Sequence, residues 1–209
     1  MIDVEKIFVG LAGTRPIFHL EADFQHALAW EIHRQWPSCS MRLEYKPQNL
    51  EGRNYIDLWA SDEKESVALE LKYKTRPVHT SFADERFDLL DHGGQPLYRY
   101  DFLKDVERLE RLVHEQPALR AYALLLTNDS AYWVSPRKVD NIDDAFRIHQ
   151  GRVVTGELHW SSTAGVGTTK GRLRAINLER EYRLHWRDYS EFGHISRGQF
   201  RYLLVKVGK

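Results

Sequence analysis

In "HLEADFQHALAWEIHRQW", residues 19 to 36, the apolar positions are Leu20, Phe24, Ala27, Leu28, Ile32 and Trp36. Recurrence every three to four residues lines them along one side of a helix, and Pro37 stops it. Met41 to Tyr45 alternates instead, a short strand ended by Pro47. Two more extended segments follow, roughly 55 to 60 and 66 to 74, joined by a charged turn. Residues 75 to 97 mix proline, a Gly-Gly pair and several charges without a period, so they read as a long connection suited to a lid or binding loop. A second helix is expected over 101 to 115 on the stripe Phe102, Val106, Leu109 and Val113, with Asp101 as N-cap and Pro117 just beyond. The run Ala121 to Thr127 reads as a buried strand, turned at Asn128-Asp129. Past that point the pattern fades. A polar, helical or irregular stretch is expected near 136 to 150, a Gly/Ser/Thr loop at 161 to 171, and a final strand from Phe200 to Val207.

The order helix, three strands, helix, strand over residues 19 to 127 places the chain in the α/β (α+β) class. The expectation is a mixed sheet flanked by helices, with a β-containing extension over 128 to 209 packed on that core, all in one domain of 209 residues. A hydrophobic share of 42% with 12% aromatics sustains a core and argues against disorder. Net charge is zero, so a nucleic-acid partner would have to meet a local basic patch. The single cysteine, Cys39, excludes an internal disulfide and a cysteine-type zinc site, and fits a reducing cytosol. No signal peptide is visible at the N-terminus, and no run approaches the roughly 18 apolar residues of a membrane span. A cytoplasmic protein without membrane contact is expected.

Against this background two carboxylates and a lysine stand out inside segments built for burial. Asp57 sits between Ile56 and Leu58, and Glu70-Leu71-Lys72 follows Val67-Ala68-Leu69. Burying such charges costs several kcal/mol unless something pairs them. Strand alternation points Glu70 and Lys72 to one face, and neighbouring strands would let Asp57 join them. One reading is an ordinary salt-bridge network on a solvated sheet face, energetically minor. The other is a hard oxygen site for Mg²⁺ or Mn²⁺, completed by waters and a substrate phosphate, with the lysine orienting a water. Acid-x-Lys occurs three times, at Glu44-Tyr45-Lys46, Asp62-Glu63-Lys64 and Glu70-Leu71-Lys72. Only the third lies in an apolar strand preceded by a strand-borne aspartate.

Asp57 on the second strand, followed thirteen residues later by Glu70-Leu71-Lys72 on the third, resembles the PD-(D/E)xK nuclease superfamily, the restriction endonuclease-like proteins. "HLEADFQHALAWEI" is similar to the first-helix element of that superfamily, with Glu21 as the counterpart of its glutamate. No proline precedes Asp57, where the superfamily motif often has one. The resemblance spans about residues 19 to 127. It implies Mg²⁺-dependent cleavage leaving a 5′-phosphate, with Mn²⁺ able to substitute. Asp57 and Glu70 would be metal ligands, Lys72 would act on the water, and Glu21 would hold a metal-bound water or a second ion.

Other patterns add less. His19, His26 and His33 recur every seven residues, whereas paired helical metal ligands need a spacing of four. Gly165-Val-Gly-Thr-Thr-Lys-Gly171 lacks the GxxxxGK[ST] spacing of a phosphate loop and reads as a flexible loop, its Lys170 within reach of a nucleic-acid backbone. From residue 166 onward, ten Lys/Arg face four acids. They include Arg172 and Arg174 and are interleaved with aromatics, a mixture suited to phosphates and stacked bases. Arg99 and Lys104 are placed where substrate phosphates could pass. The expectation is therefore a metal-dependent endonuclease acting on DNA, and since one active site cuts one strand, a homodimer would suit cleavage of both. The alternatives are an inactive nucleic-acid-binding or protein-interaction module on the same fold, or a ribonuclease.

Overall fold

The computed structural model describes residues 2–48, 55–138, 140–193 and 195–208. It opens with helix α1 (Val4–Leu11), whose Asp3 caps the Lys6 amide and whose Val4, Ile7, Phe8 and Leu11 are buried. Their spacing makes one apolar stripe. Helix α2 (Glu21–Gln35) buries Phe24, Leu28, Ala29 and Ile32. Leu20, expected in that stripe, is instead the N-cap and 53% exposed, because the helix starts only after it. Strands β1 (Ser40–Tyr45), β2 (Ile56–Ser61) and β3 (Ser66–Lys74) follow.

The connection after β3 is no loop. It contains a hairpin, β4 (Val78–Phe82) and β5 (Glu85–Leu89), which adds Val78, Phe87 and Leu89 to the core beside α2. Helix α3 (Gln95–Glu115) begins six residues before its expected start, since Gly94 at φ 84° supplies the left-handed N-cap and Pro96 fits the first turn. Asp101 therefore lies inside the helix. Strand β6 (Leu119–Thr127) is as expected, and a 3-10 turn at Asp144–Phe146 falls in the irregular stretch. Four elements come next: strand β7 (Val153–Leu158), a single helical turn α4 (Val166–Thr169), and strands β8 (Ile176–Arg183) and β9 (Trp186–Glu191). The last strand is β10 (Gln199–Val207).

Six strands form one mixed sheet in the order β1-β2-β3-β6-β10-β9. Only the β3–β6 pair is parallel. Pleat alternation divides the core into two layers. Leu58, Ala60, Val67, Leu69, Leu71 and Tyr73 pack with α1 and α2, whereas Trp59, Ala68, Ala121 and Ala123 pack with α3. The hairpin β7–β8 covers the far side of α3, so that helix is buried nearly all round. Two of its outward carboxylates bind the hairpin: Glu107 accepts from the Asn177 amide, and Glu110 from the Glu179 and Arg180 amides and the Tyr182 hydroxyl. Residues 128 to 209 are thus only partly an extension. β9 and β10 complete the central sheet, because β10 pairs along β6 from Arg201 to Val207.

Candidate active site

The β2–β3 ladder runs from Ser61↔Ser66 to Leu58↔Leu69 and stops there. Beyond it the strands part, and β3 keeps its pairing to β6 as far as Lys74↔Thr127. Parting leaves β3 amides without a strand partner. The Asp57 carboxylate accepts from the Leu71 amide at 2.6 Å, and Glu21 accepts from the Tyr73 amide at 2.7 Å. Two carboxylates therefore satisfy the freed edge, two residues apart. On the other side, Gln25 of α2 donates to the Asp57 carbonyl at 2.5 Å and to Glu44 at 3.1 Å, which fixes where β2 leaves the ladder. Glu44 takes φ 49°, an unusual value for glutamate, at this same point.

A cleft of about 250 Å³ opens over the gap, lined by Asp57, Glu70, Lys72, Asp101, Lys104, Asp105 and Arg108. Asp57, Glu70 and Lys72 thus meet in one place. The last four residues come from α3 at i, i+3, i+4 and i+7, a polar stripe one position ahead of the apolar one.

The Lys72 ammonium is 2.7 Å from Asp105 Oδ2 and 3.2 Å from the Leu71 carbonyl oxygen. Arg108 reaches Glu70 Oε1 with Nη2 at 2.5 Å and Nε at 2.9 Å, and Asp105 Oδ1 at 2.8 Å. Glu70 is 2% exposed, and its second carboxylate oxygen, Oε2, has no hydrogen-bond partner among the described residues.

Four carboxylates and three cationic groups line this cleft, and their burial shows in their ionisation. Burial, with Asp105 and Glu21 adding to it, pushes the Asp57 carboxyl up to about 6 against the pull of Lys72 and the Leu71 amide. Burial and then Asp105 push Glu70 well above the usual carboxylate range, opposed by Arg108. Burial alone would lower Lys72, but the carboxylates around it, Asp105 first, hold it firmly as an ammonium. It is therefore a hydrogen-bond donor and not a base.

A prediction follows for the protein without metal. The folded state favours neutral Asp57, so stability is present below its ordinary value of 3.8 and is lost as pH rises through about 6. The loss is about 3 kcal/mol at most. Asp57→Asn, which keeps an oxygen for the Leu71 amide, should melt on the order of 5 °C above wild type at pH 8 in EDTA, and equally with it near pH 4. Parallel melting curves across that range would contradict the burial argument.

Glu21 does not line the cleft. Its Oε2 also takes the Lys74 ammonium at 2.8 Å, an ammonium that lies over the Tyr98 ring. Among the described residues no group of three or more His, Cys, Asp or Glu side chains stands close enough to hold a metal ion. The trio Asp57, Glu70 and Glu21 is therefore not a preformed cage, because Glu21 is drawn to the next amide along β3. Two carboxylates nonetheless fit Mg²⁺, which keeps several waters and needs only one or two protein carboxylates plus substrate phosphate. The buried, partnerless Glu70 Oε2 and the Leu71 carbonyl oxygen fit the same hard-oxygen chemistry.

The expected phosphate contacts divide. Arg99 is 2% exposed, paired with Asp143 at 2.6 Å and donating to the Ala131 carbonyl at 2.6 Å. It holds Ala131 and Asp143 onto α3 and cannot meet an external phosphate. Arg172 is bound by both nitrogens to Asp101 at 2.8 and 2.7 Å, and Arg174 to Glu107, with one contact at 2.8 Å. Their charges are balanced within the fold. The Arg172–Asp101 pair fastens the end of the Gly165–Gly171 loop to the cleft rim, and Lys170 on that loop is exposed. Lys104, on the cleft wall, has no ion pair among the described residues. Sequence reasoning missed Asp105 and Arg108. Their spacing of three on a helix, out of phase with the apolar stripe, was the available signal.

No described helix is long and apolar enough to cross a membrane. Compared with protein-family models, curated proteins and solved structures, the chain matches none.

Proposed function

We propose that this chain is a Mg²⁺-dependent nuclease of the PD-(D/E)xK kind that hydrolyses phosphodiester bonds in DNA. One observation carries the reading: Asp57, Glu70 and Lys72 line a single cleft where two strands part, and a buried Glu70 oxygen there has no partner among the described residues. The order α2-β1-β2-β3-α3-β6 supports a restriction endonuclease-like core with β4–β5 inserted.

Asp57 and Glu70 would hold the ion. When bound, it would supply positive charge to the phosphate and make a coordinated water more acidic. Lys72, kept protonated by Asp105, would donate to the attacking water or to a phosphate oxygen and stabilise charge that grows in the transition state. Asp57 is held by the Leu71 amide and Gln25, so its carboxylate is oriented before substrate arrives. Lys104 on the wall and Lys170 on the rim loop would take the flanking phosphates. Hydrolysis forms a bond from the water oxygen to phosphorus and breaks the one to the 3′-oxygen. The 3′-oxygen ends as a hydroxyl and the phosphate stays on the 5′ side, as the resemblance implies.

A second reading rests on the ion pairs themselves. Glu70–Arg108 and Lys72–Asp105 satisfy much of the cluster without a metal, as an inactive binding module would require. Incubating supercoiled plasmid with the protein in Mg²⁺ or in EDTA separates the two. Nicking only with Mg²⁺, lost in Asp57→Ala, supports the nuclease. Plasmid and a single-stranded RNA incubated in parallel both left intact under every condition support the binding module, and cleavage of the RNA alone would move the substrate to RNA.

A further inference from the structure

Arg108 occupies one carboxylate oxygen of Glu70, Oε1, right beside the bare Oε2 that would meet a cation. Its guanidinium contacts Glu70 Oε1 through two nitrogens and Asp105 through one, and its side chain is 12% exposed on the cleft wall. We infer that Arg108 is a built-in stand-in for the metal, released by a phosphate of the incoming nucleic acid, so that metal and substrate each promote binding of the other. This rests on the nuclease reading above.

A divalent ion at Asp57 and Glu70 would lie within a few ångströms of that guanidinium, in a cleft whose burial strengthens repulsion. Either the ion stays out or Arg108 moves. The planar fork that now engages Glu70 is the shape that grips a phosphate through two parallel hydrogen bonds. Lys104 lies one turn before Arg108 on the same stripe and would already draw phosphate to that wall. Once Arg108 turns to the phosphate, both Glu70 oxygens are open and the cation loses its competitor. Linkage then requires equal coupling in both directions. The chain would bind the ion poorly until substrate is in place.

The test is Mn²⁺ affinity by calorimetry, with and without a phosphorothioate-linked DNA duplex that keeps its charge and resists hydrolysis. In wild type the duplex should tighten Mn²⁺ binding about tenfold or more. Arg108→Gln should bind Mn²⁺ about tenfold more tightly than wild type without the duplex, and gain little when it is added. Equal affinity of the two proteins in its absence, with no duplex effect on wild type, overturns the role of Arg108 and leaves the nuclease reading intact. No Mn²⁺ binding by either protein, duplex present or not, removes the nuclease reading itself. Should Arg108→Gln fail to fold, the wild-type comparison decides alone: tightening by the duplex upholds the coupling and no tightening ends it.

Discussion

Lys72→Met should bind Mn²⁺ at least as tightly as wild type yet cleave DNA at least about a hundredfold more slowly. The split follows from what surrounds the ammonium. It sits 2.7 Å from Asp105 and is held protonated, so its contribution is a fixed positive charge with hydrogen bonds to donate. Removing a like charge from beside a cation site relieves repulsion of the cation, and at pH 8 the measurement is made where the carboxylates favour their ionised form. If that donor serves the reacting groups as proposed, removing it takes away transition-state stabilisation. Methionine keeps most of the unbranched stem, and Asp105 retains Arg108 at 2.8 Å, so folding is preserved. Glu70→Gln should lose Mn²⁺ binding and cleavage together, because the ligand itself has changed. Calorimetry beside a plasmid-nicking time course reads both quantities. A Lys72→Met protein that cleaves normally, or that no longer binds Mn²⁺, would contradict the assigned role.

Arg99→Ala should lower the melting temperature by on the order of 10 °C without changing DNA affinity at a temperature where it stays folded. Arg99 and Asp143 are 2% and 1% exposed and meet at 2.6 Å. Breaking such a pair takes the nearer of two partners from a buried carboxylate, which keeps only Arg147 at 3.0 Å, at a cost of about 3 kcal/mol. The Ala131 carbonyl also loses its donor, and the Tyr132 ring loses the guanidinium that lies over it. Lys104→Ala makes the opposite pattern: melting within about 1 °C of wild type and weaker DNA binding with a shallower salt dependence. Differential scanning calorimetry with a salt series of duplex binding distinguishes them. Normal stability and impaired DNA binding in Arg99→Ala would return that residue to the substrate surface.

Much of the central sheet could be read from residue patterns. Val67-Ala68-Leu69 and Ala121 to Leu126 are continuous apolar runs because both faces of the parallel pair are covered. The convergence of Asp57 with Glu70 and Lys72 was equally accessible from alternation. What hid the β4–β5 hairpin was its turn: Ala83 and Asp84 take φ 48° and 66°, left-handed values usually announced by glycine or asparagine. Each strand also carries only one or two buried apolar residues, Val78 on one and Phe87 and Leu89 on the other, too few to set a period. In the last eighty residues the signal was present but masked by charge. β8 buries Ile176, Leu178 and Tyr182 at even spacing, while its arginines and glutamates face out. Those same charges suggested a nucleic-acid surface, yet Arg172 and Arg174 are used to bind α3.

Glu21 and Arg108 show the harder limit. A glutamate at the first turn of a helix and an arginine four residues beyond a lysine are common in any sequence. Only the parting of β2 from β3 gives Glu21 the Tyr73 amide as its partner, and only the docking of α3 brings Arg108 onto Glu70. Both are tertiary outcomes, the first set by where the Leu58↔Leu69 ladder ends.

The most direct test is a crystal of the protein with a short DNA duplex, soaked in Mn²⁺ and measured at the manganese absorption edge. One anomalous peak within about 2.5 Å of oxygens from both Asp57 and Glu70 is the predicted result. A cleft without manganese, with Arg108 still seated on Glu70 beside a bound duplex, would show that the two acids serve the fold alone.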